Sequence, residues 1–154
     1  MVIFFTYIYG VMNMKKINFK KLAIYIAIPL VLGAIVGVIT SRQSSIYGGP
    51  VPGLVFPVVW SILYILMGIS SYLISDSKDL LKIYYLNLAV NLLWPIIFFS
   101  LGLKTLGFFW ILLLILIVGY MMYKFYDENK FATYLLIPYI LWLVFAAFLN
   151  LSMI

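Results

Sequence analysis

The chain has 154 residues, of which 67% are hydrophobic, 19% aromatic and only 9% charged, with a formal net charge of +6. Soluble domains are about half apolar and a quarter charged, so this composition excludes a soluble globular protein and indicates an integral membrane protein. The absence of Cys and His excludes disulfides, thiolate metal sites and a histidine general base. We therefore expect no metal and no cofactor.

The first 13 residues are apolar but shorter than the roughly 20 residues that a helix needs to cross a membrane. Two interpretations are open for this extension. It is an interfacial segment, or it results from an upstream start codon and the chain begins at Met14, which we prefer. Residues 14–154 then form a single membrane domain.

Five later segments are long and apolar enough to be membrane-spanning helices. They run over approximately Lys21–Thr40, Gly53–Ser75, Leu80–Leu101, Thr105–Tyr126 and Phe131–Ile154. Strands of a membrane barrel would be about 10 residues long with alternating polarity, a pattern that none of the five shows. The sequence predicts an all-α membrane protein, a single bundle of five transmembrane helices.

The basic residues are distributed unequally between the two ends of these predicted helices. One side carries eight of them: Lys15, Lys16, Lys20, Lys21, Lys78, Lys82, Lys124 and Lys130. The other side carries Arg42 and Lys104. Because Lys and Arg are enriched in cytoplasmic loops, we expect a multi-pass protein of the cell membrane with a cytoplasmic N-terminus and an external C-terminus. This distribution also accounts for the net charge without a nucleic-acid partner.

The first predicted span contains "GAIVG", which places Gly33 and Gly37 in G-x-x-x-G spacing. Such spacing allows close approach of two helix backbones. The partner is either a second copy of the chain, in a homodimer, or another helix of the same chain.

The second span follows a loop rich in Gly and Pro, in "GGPVPGLVFPVVWSILYILMG" (residues 48–68). Trp60, Tyr64 and Gly68 recur every four residues and therefore share one helix face. A face that contacts only lipid needs no indole or phenol, so we expect this face to point into the bundle.

The third span, "YYLNLAVNLLWPIIFF", aligns Asn87, Asn91, Trp94 and Phe98 along one face. Asn is costly in hydrocarbon unless its amide finds partners, so both asparagines should face the interior. They either connect helices by hydrogen bonds or belong to a binding site. Pro95 frees a backbone carbonyl that neighbouring helices must satisfy.

The fifth span, "PYILWLVFAAFLN", places Tyr139, Trp142, Ala146 and Asn150 on one face. Pro138 predicts a kink. The small Ala146 permits either close helix approach or space for a ligand.

These segments resemble the translocator protein family, whose members are also called tryptophan-rich sensory proteins or peripheral-type benzodiazepine receptors. "FPVVWSILYILMGISSYL" is similar to the family pattern V-W-x-x-L-Y-x-x-M-G. "LNLAVNLLWPIIFF" resembles Q-L-x-L-N-x-x-W-P-x-x-F-F, and "PYILWLVFAAFLN" resembles P-Y-x-x-W-x-x-F-A-x-x-L-N. The resemblance extends from about residue 21 to residue 153.

The resemblance implies a five-helix bundle, usually dimeric, with a ligand pocket closed on one side by the first loop. It implies binding of porphyrins and of planar, drug-like aromatic ligands. The pocket residues that it implies in this chain are Trp60, Tyr64, Asn91, Trp94, Phe98, Trp142 and Ala146.

The chain departs from the family pattern in three places. Its first loop, "SRQSSIYGGPVPG", is short, and Val51-Pro52 replaces the paired prolines. Asn87 stands where the family usually has Gln. Leu151 replaces the Tyr of the sterol-associated pattern of animal members, so we do not expect specific cholesterol binding there.

Several functions remain open at this stage. The leading one is a membrane receptor or sensor for tetrapyrroles, such as porphyrins and haem precursors. The alternatives are a transporter of porphyrins or other small metabolites, and light- and oxygen-dependent porphyrin degradation with Trp60 and Trp142 as candidate residues. The sequence offers no nucleophile or acid–base group for conventional catalysis. A purely structural membrane subunit is the last alternative, in which the aromatic and Asn faces only pack.

Overall fold

The computed structural model describes residues 1–2, 16–46 and 53–154, and of residues 43–46 it describes the backbone alone. The predicted N-terminal extension and most of the first loop lie outside the described residues. Within the described part the chain is helical and has no strand. The helices are α1 (Phe19–Ile46), α2 (Val55–Leu73), α3 (Lys78–Pro95), α4 (Lys104–Glu128), α5 (Lys130–Tyr134) and α6 (Ile137–Leu151), with a π-helical turn at Ile96–Ser100.

The predicted all-α fold with five spans is confirmed. Five helical stretches are long and apolar enough to cross a membrane: Phe19–Arg42, Val55–Leu73, Lys78–Ser100, Lys104–Glu128 and Lys130–Leu151. Each boundary lies within three residues of the sequence-based one. The agreement follows from the lack of water in the bilayer core, which requires long helices whose backbone groups bond internally.

Pro95 changes the geometry of the third span without ending it. Proline has no N–H, so the carbonyl of Asn91 loses its helical donor. Beyond it the chain widens into the π-helical turn, where the Leu101 amide donates to the Ile96 carbonyl at 2.9 Å. The neighbouring α4 also bonds to this part of the third span, because Trp110 Nε1 donates at 2.8 Å to the carbonyl of Val90, the residue before Asn91.

The fifth span is interrupted near Pro138, as predicted. The short α5 ends at Tyr134, and α6 begins at Ile137 with the proline in its first turn. The first turn of a helix suits proline. The N–H groups there have no partner within the helix, so the N–H that proline lacks costs no helical hydrogen bond.

The helices form a closed ring in the order α1, α2, α5/α6, α4, α3. The closest neighbours are α1 with α2 and α4 with α6, whereas α2 meets α6 at few points. Helix α1 is the most exposed member, with residues such as Val31 and Val38 more than half accessible. In a bilayer these side chains contact lipid or a second protein.

The glycines of α1 have different surroundings. A Cβ at Gly33 would overlap the ring of Tyr64 on α2, so this glycine makes room for a side chain of the same chain. Gly37 has no atom within 4 Å of that position among the described residues. Of the two interpretations of the G-x-x-x-G pair, contact with another helix of the same chain therefore applies to Gly33.

Candidate functional site

A cleft lies inside the ring, in the half of the bundle that contains the start of α2 and the end of α6. Four helices contribute its lining, which consists of Phe56, Trp60, Asn91, Trp94, Ile111, Leu114, Trp142, Leu143 and Ala146. These residues come from the first halves of α2 and α4, the end of α3 and the middle of α6. Antiparallel neighbours bring those helix ends together. The cleft therefore lies on the side of the bundle where the first loop joins α1 to α2.

The cleft is narrow. Its cavity volume is about 10 Å³, which is room for about one water molecule. Pockets for drug-sized ligands are roughly 300–1,000 Å³. A larger ligand can enter only if side chains that now fill the site move apart.

Aromatic rings close the cleft between α2 and α6. The ring centroids of Phe56 and Trp142 are 5.6 Å apart at an interplanar angle of 72°. Trp60 lies 5.5 Å from Tyr64 and 6.2 Å from Tyr139. Phe56, Trp60 and Trp142 are only partly buried. Because α2 and α6 otherwise touch at few points, these rings form most of the wall on that side.

A buried hydrogen-bond chain lies directly below this wall. Tyr64 Oη donates to Asn91 Oδ1 at 2.9 Å, and Asn91 Nδ2 donates to Tyr139 Oη at 3.0 Å. Tyr139 Oη in turn donates to Asn87 Oδ1 at 3.3 Å. All four side chains are buried. Both asparagines thus face the interior, as predicted, and connect α2, α3 and α6.

Two indole N–H groups of the lining are buried and have no hydrogen-bond partner among the described residues. They belong to Trp94 and Trp142. Trp94 is 6% exposed and stacks on Phe98, with centroids 5.2 Å apart and an interplanar angle of 16°. The indole of Trp110, outside the cleft, is satisfied by the Val90 carbonyl.

The structure brings five of the seven predicted pocket residues to the cleft: Trp60, Asn91, Trp94, Trp142 and Ala146. Tyr64 and Phe98 are not in the lining. Tyr64 lies behind it, bonded to Asn91, and Phe98 lies behind Trp94.

Sequence reasoning missed Phe56, Ile111, Leu114 and Leu143. Phe56 lies one helical turn before Trp60, so the spacing already used for that face could have identified it. The three aliphatic residues carry no such signal, because they do not differ from lipid-facing residues.

Asn150, the last member of the predicted α6 face, lies outside the cleft. With its amide oriented to match its neighbours, its nitrogen donates to the Lys104 carbonyl at 3.1 Å and its oxygen accepts from the Phe108 amide at 3.3 Å. It therefore joins the end of α6 to the first turn of α4.

The lining contains no charged side chain. In the part of the chain that the structure describes, no three His, Cys, Asp or Glu side chains are grouped to hold a metal ion. The chemistry of the cleft is that of aromatic faces, aliphatic surface, three indoles and one amide.

Comparisons with known proteins agree with this architecture. Residues 25–154 match the model of the TspO/MBR family. Protein CrtK of Rhodobacter capsulatus is 35% identical over 108 residues, which cover 66% of this chain and 68% of that protein.

Two further relatives carry the family's other names. A tryptophan-rich sensory protein of Cereibacter sphaeroides is 30% identical over 102 residues, covering 64% of this chain and 65% of its own length. A translocator protein of Sus scrofa is 34% identical over 104 residues, covering 60% and 59%. The chain thus spans less than two thirds of the length of these two relatives. The family match covers most of the chain, from within the first span through the other four spans, and the chain belongs to the TspO/MBR family of multi-pass membrane proteins.

Proposed function

We propose that this protein is an integral membrane receptor or sensor that binds tetrapyrroles and other planar apolar ligands in the cleft. The observation that carries the proposal is the convergence of Trp60, Trp94 and Trp142 from three helices on one uncharged cleft. Flat aromatic side chains suit a flat ligand because they offer large contact areas and stack at defined distances. The sensory and translocator names of the relatives agree with a ligand-responsive role.

Binding requires the cleft to open. We propose that the wall opens at the Phe56–Trp142 contact, since both rings are partly exposed and each lies on a helix that has few contacts with the other. Their separation would let a planar ligand take the place of the ring–ring contacts.

The proposed orientation puts the start of α1 in the cytoplasm and the C-terminus outside the cell membrane. It is supported by tyrosines paired with lysines at the end that carries most positive charge. Lys21 lies 5.7 Å from the ring centroid of Tyr25, and Lys130 lies 5.2 Å from that of Tyr126. Tyr is enriched at both membrane interfaces, so these rings mark an interface, and the lysines identify it as the cytoplasmic one. We further propose a homodimer, supported by the exposed apolar face of α1 and tested by the detergent-corrected mass of the purified protein.

Titration with protoporphyrin in the dark tests the proposed function, with the Soret absorbance band of the porphyrin as readout. The parent protein should bind saturably. Trp60→Ala should raise the Kd at least about fivefold, because it removes a stacking wall worth about 1 kcal/mol or more. The matched control is Phe109→Ala, since Phe109 is 60% exposed on α4 and should leave the Kd unchanged.

Absence of saturable binding by the parent would contradict the proposal. Equal Kd values for Trp60→Ala and the parent would show instead that Trp60 only packs. Repeating the titration in light separates binding from degradation, because only degradation removes the Soret band with time.

A further inference from the structure

A cluster of lysines and tyrosines lies at the end of the bundle opposite the cleft. The ammonium nitrogen of Lys21 is 5.7 Å from the ring centroid of Tyr25 on α1 and 5.9 Å from that of Tyr72 at the end of α2. The two rings meet edge to face, with centroids 6.2 Å apart. Helix α3 packs against α1 and begins at the same end of the bundle. This region, the basic corner, contains five lysines: Lys16, Lys20, Lys21, Lys78 and Lys82.

The basic corner has an excess of positive charge that the neighbouring region lacks. Its five lysines are accompanied by only two described carboxylates, Asp76 and Asp79, and Asp79 is bound by Lys82 at 2.9 Å. Lys20 and Lys21 have no carboxylate partner within the described chain. At the end of α4 and the start of α5, by contrast, positive and negative side chains are equal in number: Lys124, Lys130, Asp127 and Glu128. An anion is therefore attracted more strongly to the basic corner than to the end of α4.

The hydroxyl of Tyr72 adds a hydrogen-bond donor beside Lys21. It accepts a bond from the amide of Asn18 at 3.0 Å and donates to no group in the described part of the chain. A phenol has one proton of its own to donate, so an acceptor brought next to Lys21 can receive it. The Asn18 side chain already caps α1 by accepting from the Lys21 amide at 3.0 Å. The attraction for an anion thus comes from the ammonium groups and this hydroxyl, and not from the amides of the helix start.

The side chains next to these lysines are apolar and uncovered. Phe19 is 76% exposed, and Ile24, one turn after Lys20, is 50% exposed. Helix α1 is the least buried of the five spans, so no other described helix covers this face. Positive charge beside an open apolar face matches a phospholipid, whose phosphate lies next to its acyl chains. A soluble anion would use only the first of these two features.

We infer that the basic corner binds an anionic phospholipid, whose phosphate is held by Lys20, Lys21 and the Tyr72 hydroxyl. A zwitterionic lipid suits the corner less, because its choline or ethanolamine group adds positive charge to an existing excess. The faces of Tyr25 and Tyr72 offer choline no cation–π site, since the Lys21 ammonium already lies against both rings. The site occupies the first two turns of α1 and leaves the rest of that helix to the second copy in the proposed homodimer. It does not depend on whether the cleft binds tetrapyrroles.

Native mass spectrometry of the detergent-purified protein counts the lipids that each chain retains. Phosphatidylglycerol and phosphatidylcholine with identical acyl chains are the two probes, because they differ only in the headgroup. Each lysine near the membrane surface contributes about fivefold to the binding of an anionic lipid. The Kd of phosphatidylglycerol should therefore be at least about tenfold lower than that of phosphatidylcholine, since two lysines contribute.

A pair of double variants locates the site. Lys20→Gln/Lys21→Gln removes two charges from the basic corner and should bring the ratio of the two Kd values close to one. The matched control is Lys124→Gln/Lys130→Gln, which removes two charges from the same end of the bundle, where lysines also lie against tyrosine rings; it should keep the parent's ratio. Lys20→Gln alone changes an exposed side chain, leaves the packing around Lys21 intact and should lower the preference about fivefold.

Equal Kd values of the two lipids in the parent would overturn the inference. Equal losses of preference in the two double variants would also overturn it, because the attraction would then be a diffuse effect of net charge. Inorganic phosphate should displace phosphatidylglycerol no better than potassium chloride of equal ionic strength. Selective displacement by phosphate would show that the corner binds free phosphate and not a lipid.

Discussion

The amide of Asn91 joins three helices at the centre of the bundle. It accepts from Tyr64 on α2 and donates to Tyr139 on α6, and all three side chains are buried. In a membrane interior such bonds provide part of the specificity of packing, since apolar faces alone distinguish helices poorly from lipid. We therefore expect Asn91 to matter for stability as well as for the shape of the cleft.

A double-mutant cycle between Asn91 and Tyr64 tests this role. Asn91→Leu should lower the free energy of unfolding by about 1–2 kcal/mol, because the Tyr64 hydroxyl loses its acceptor. Combining Asn91→Leu with Tyr64→Phe should cost less than the sum of the two single changes, since the pair then leaves no unmatched group between these positions. Unfolding by SDS in mixed micelles, followed by circular dichroism, measures the costs.

The control for that cycle is Tyr123→Phe, which removes a hydroxyl from a side chain that is 68% exposed and should leave stability unchanged. Strictly additive costs for Asn91 and Tyr64 would contradict the predicted coupling.

Sequence alone predicted that the asparagines of α3 face inward, because a lipid-facing amide is too costly. It could not decide between structural and ligand-binding roles, since that depends on which groups of α2 and α6 lie opposite. The partners of Asn91 come from residues 27 and 48 positions away. The residues of one helix face do not indicate which side chains of other helices lie opposite them.

At the scale of elements, close contact between α1 and α2 depends on glycine. A Cβ at Gly68 would lie 2.6 Å from the Cα of Ile26 and 2.7 Å from the carbonyl oxygen of Tyr25. Both atoms belong to the backbone of α1, which cannot move aside as a side chain can. The position of Gly68 on the face of Trp60 and Tyr64 thus has a structural reason.

Two glycine-to-alanine substitutions test this contact. Gly68→Ala should lower the free energy of unfolding by about 1–3 kcal/mol through overpacking. Gly37→Ala is the matched control on α1, where a Cβ meets no described atom within 4 Å; it should leave stability unchanged or raise it by up to about 1 kcal/mol, because Ala favours helix. Thermal unfolding in detergent compares them, and equal effects of the two changes would argue against the contact.

The prolines show how far local sequence predicts element geometry. Pro138 indicated a kink in the fifth span, and the structure shows a short interruption of the helix immediately before α6. Pro95 indicated a freed carbonyl, but the π-helical turn that follows could not be foreseen. Its form depends on how the end of the third span packs against α1 and α4, which local sequence does not specify.

At the scale of the whole molecule, hydropathy predicted the number and limits of the spans but not their arrangement. The ring order places α2 beside both α1 and α6. A soluble helix reveals its buried side through a polar face opposite. In a bilayer lipid-facing and buried residues are both apolar, so the aliphatic lining of the cleft, such as Ile111, cannot be recognised from the sequence.

Orientation in the membrane is the property of the whole molecule that charge predicts. In the described chain, Lys20, Lys78 and Lys124 lie at one end of the bundle, whereas Lys104 lies at the other. Because Lys and Arg are enriched on the cytoplasmic side of a membrane, we expect the α2–α3 turn to lie inside the cell and the end of α6 outside. The cleft, being nearer the end of α6, would open toward the external half of the membrane.

Introduced cysteines test this orientation in a chain that has none of its own. Ser152→Cys follows the end of α6, and Ser77→Cys lies in the α2–α3 turn. A membrane-impermeant maleimide applied to intact cells should label the first and not the second, and permeabilised cells should show both labelled. Labelling of Ser77→Cys alone in intact cells would reverse the topology and move the cleft to the cytoplasmic half. Equal labelling of both before permeabilisation would show that the chain inserts in two orientations, in which case the charge bias does not determine its topology.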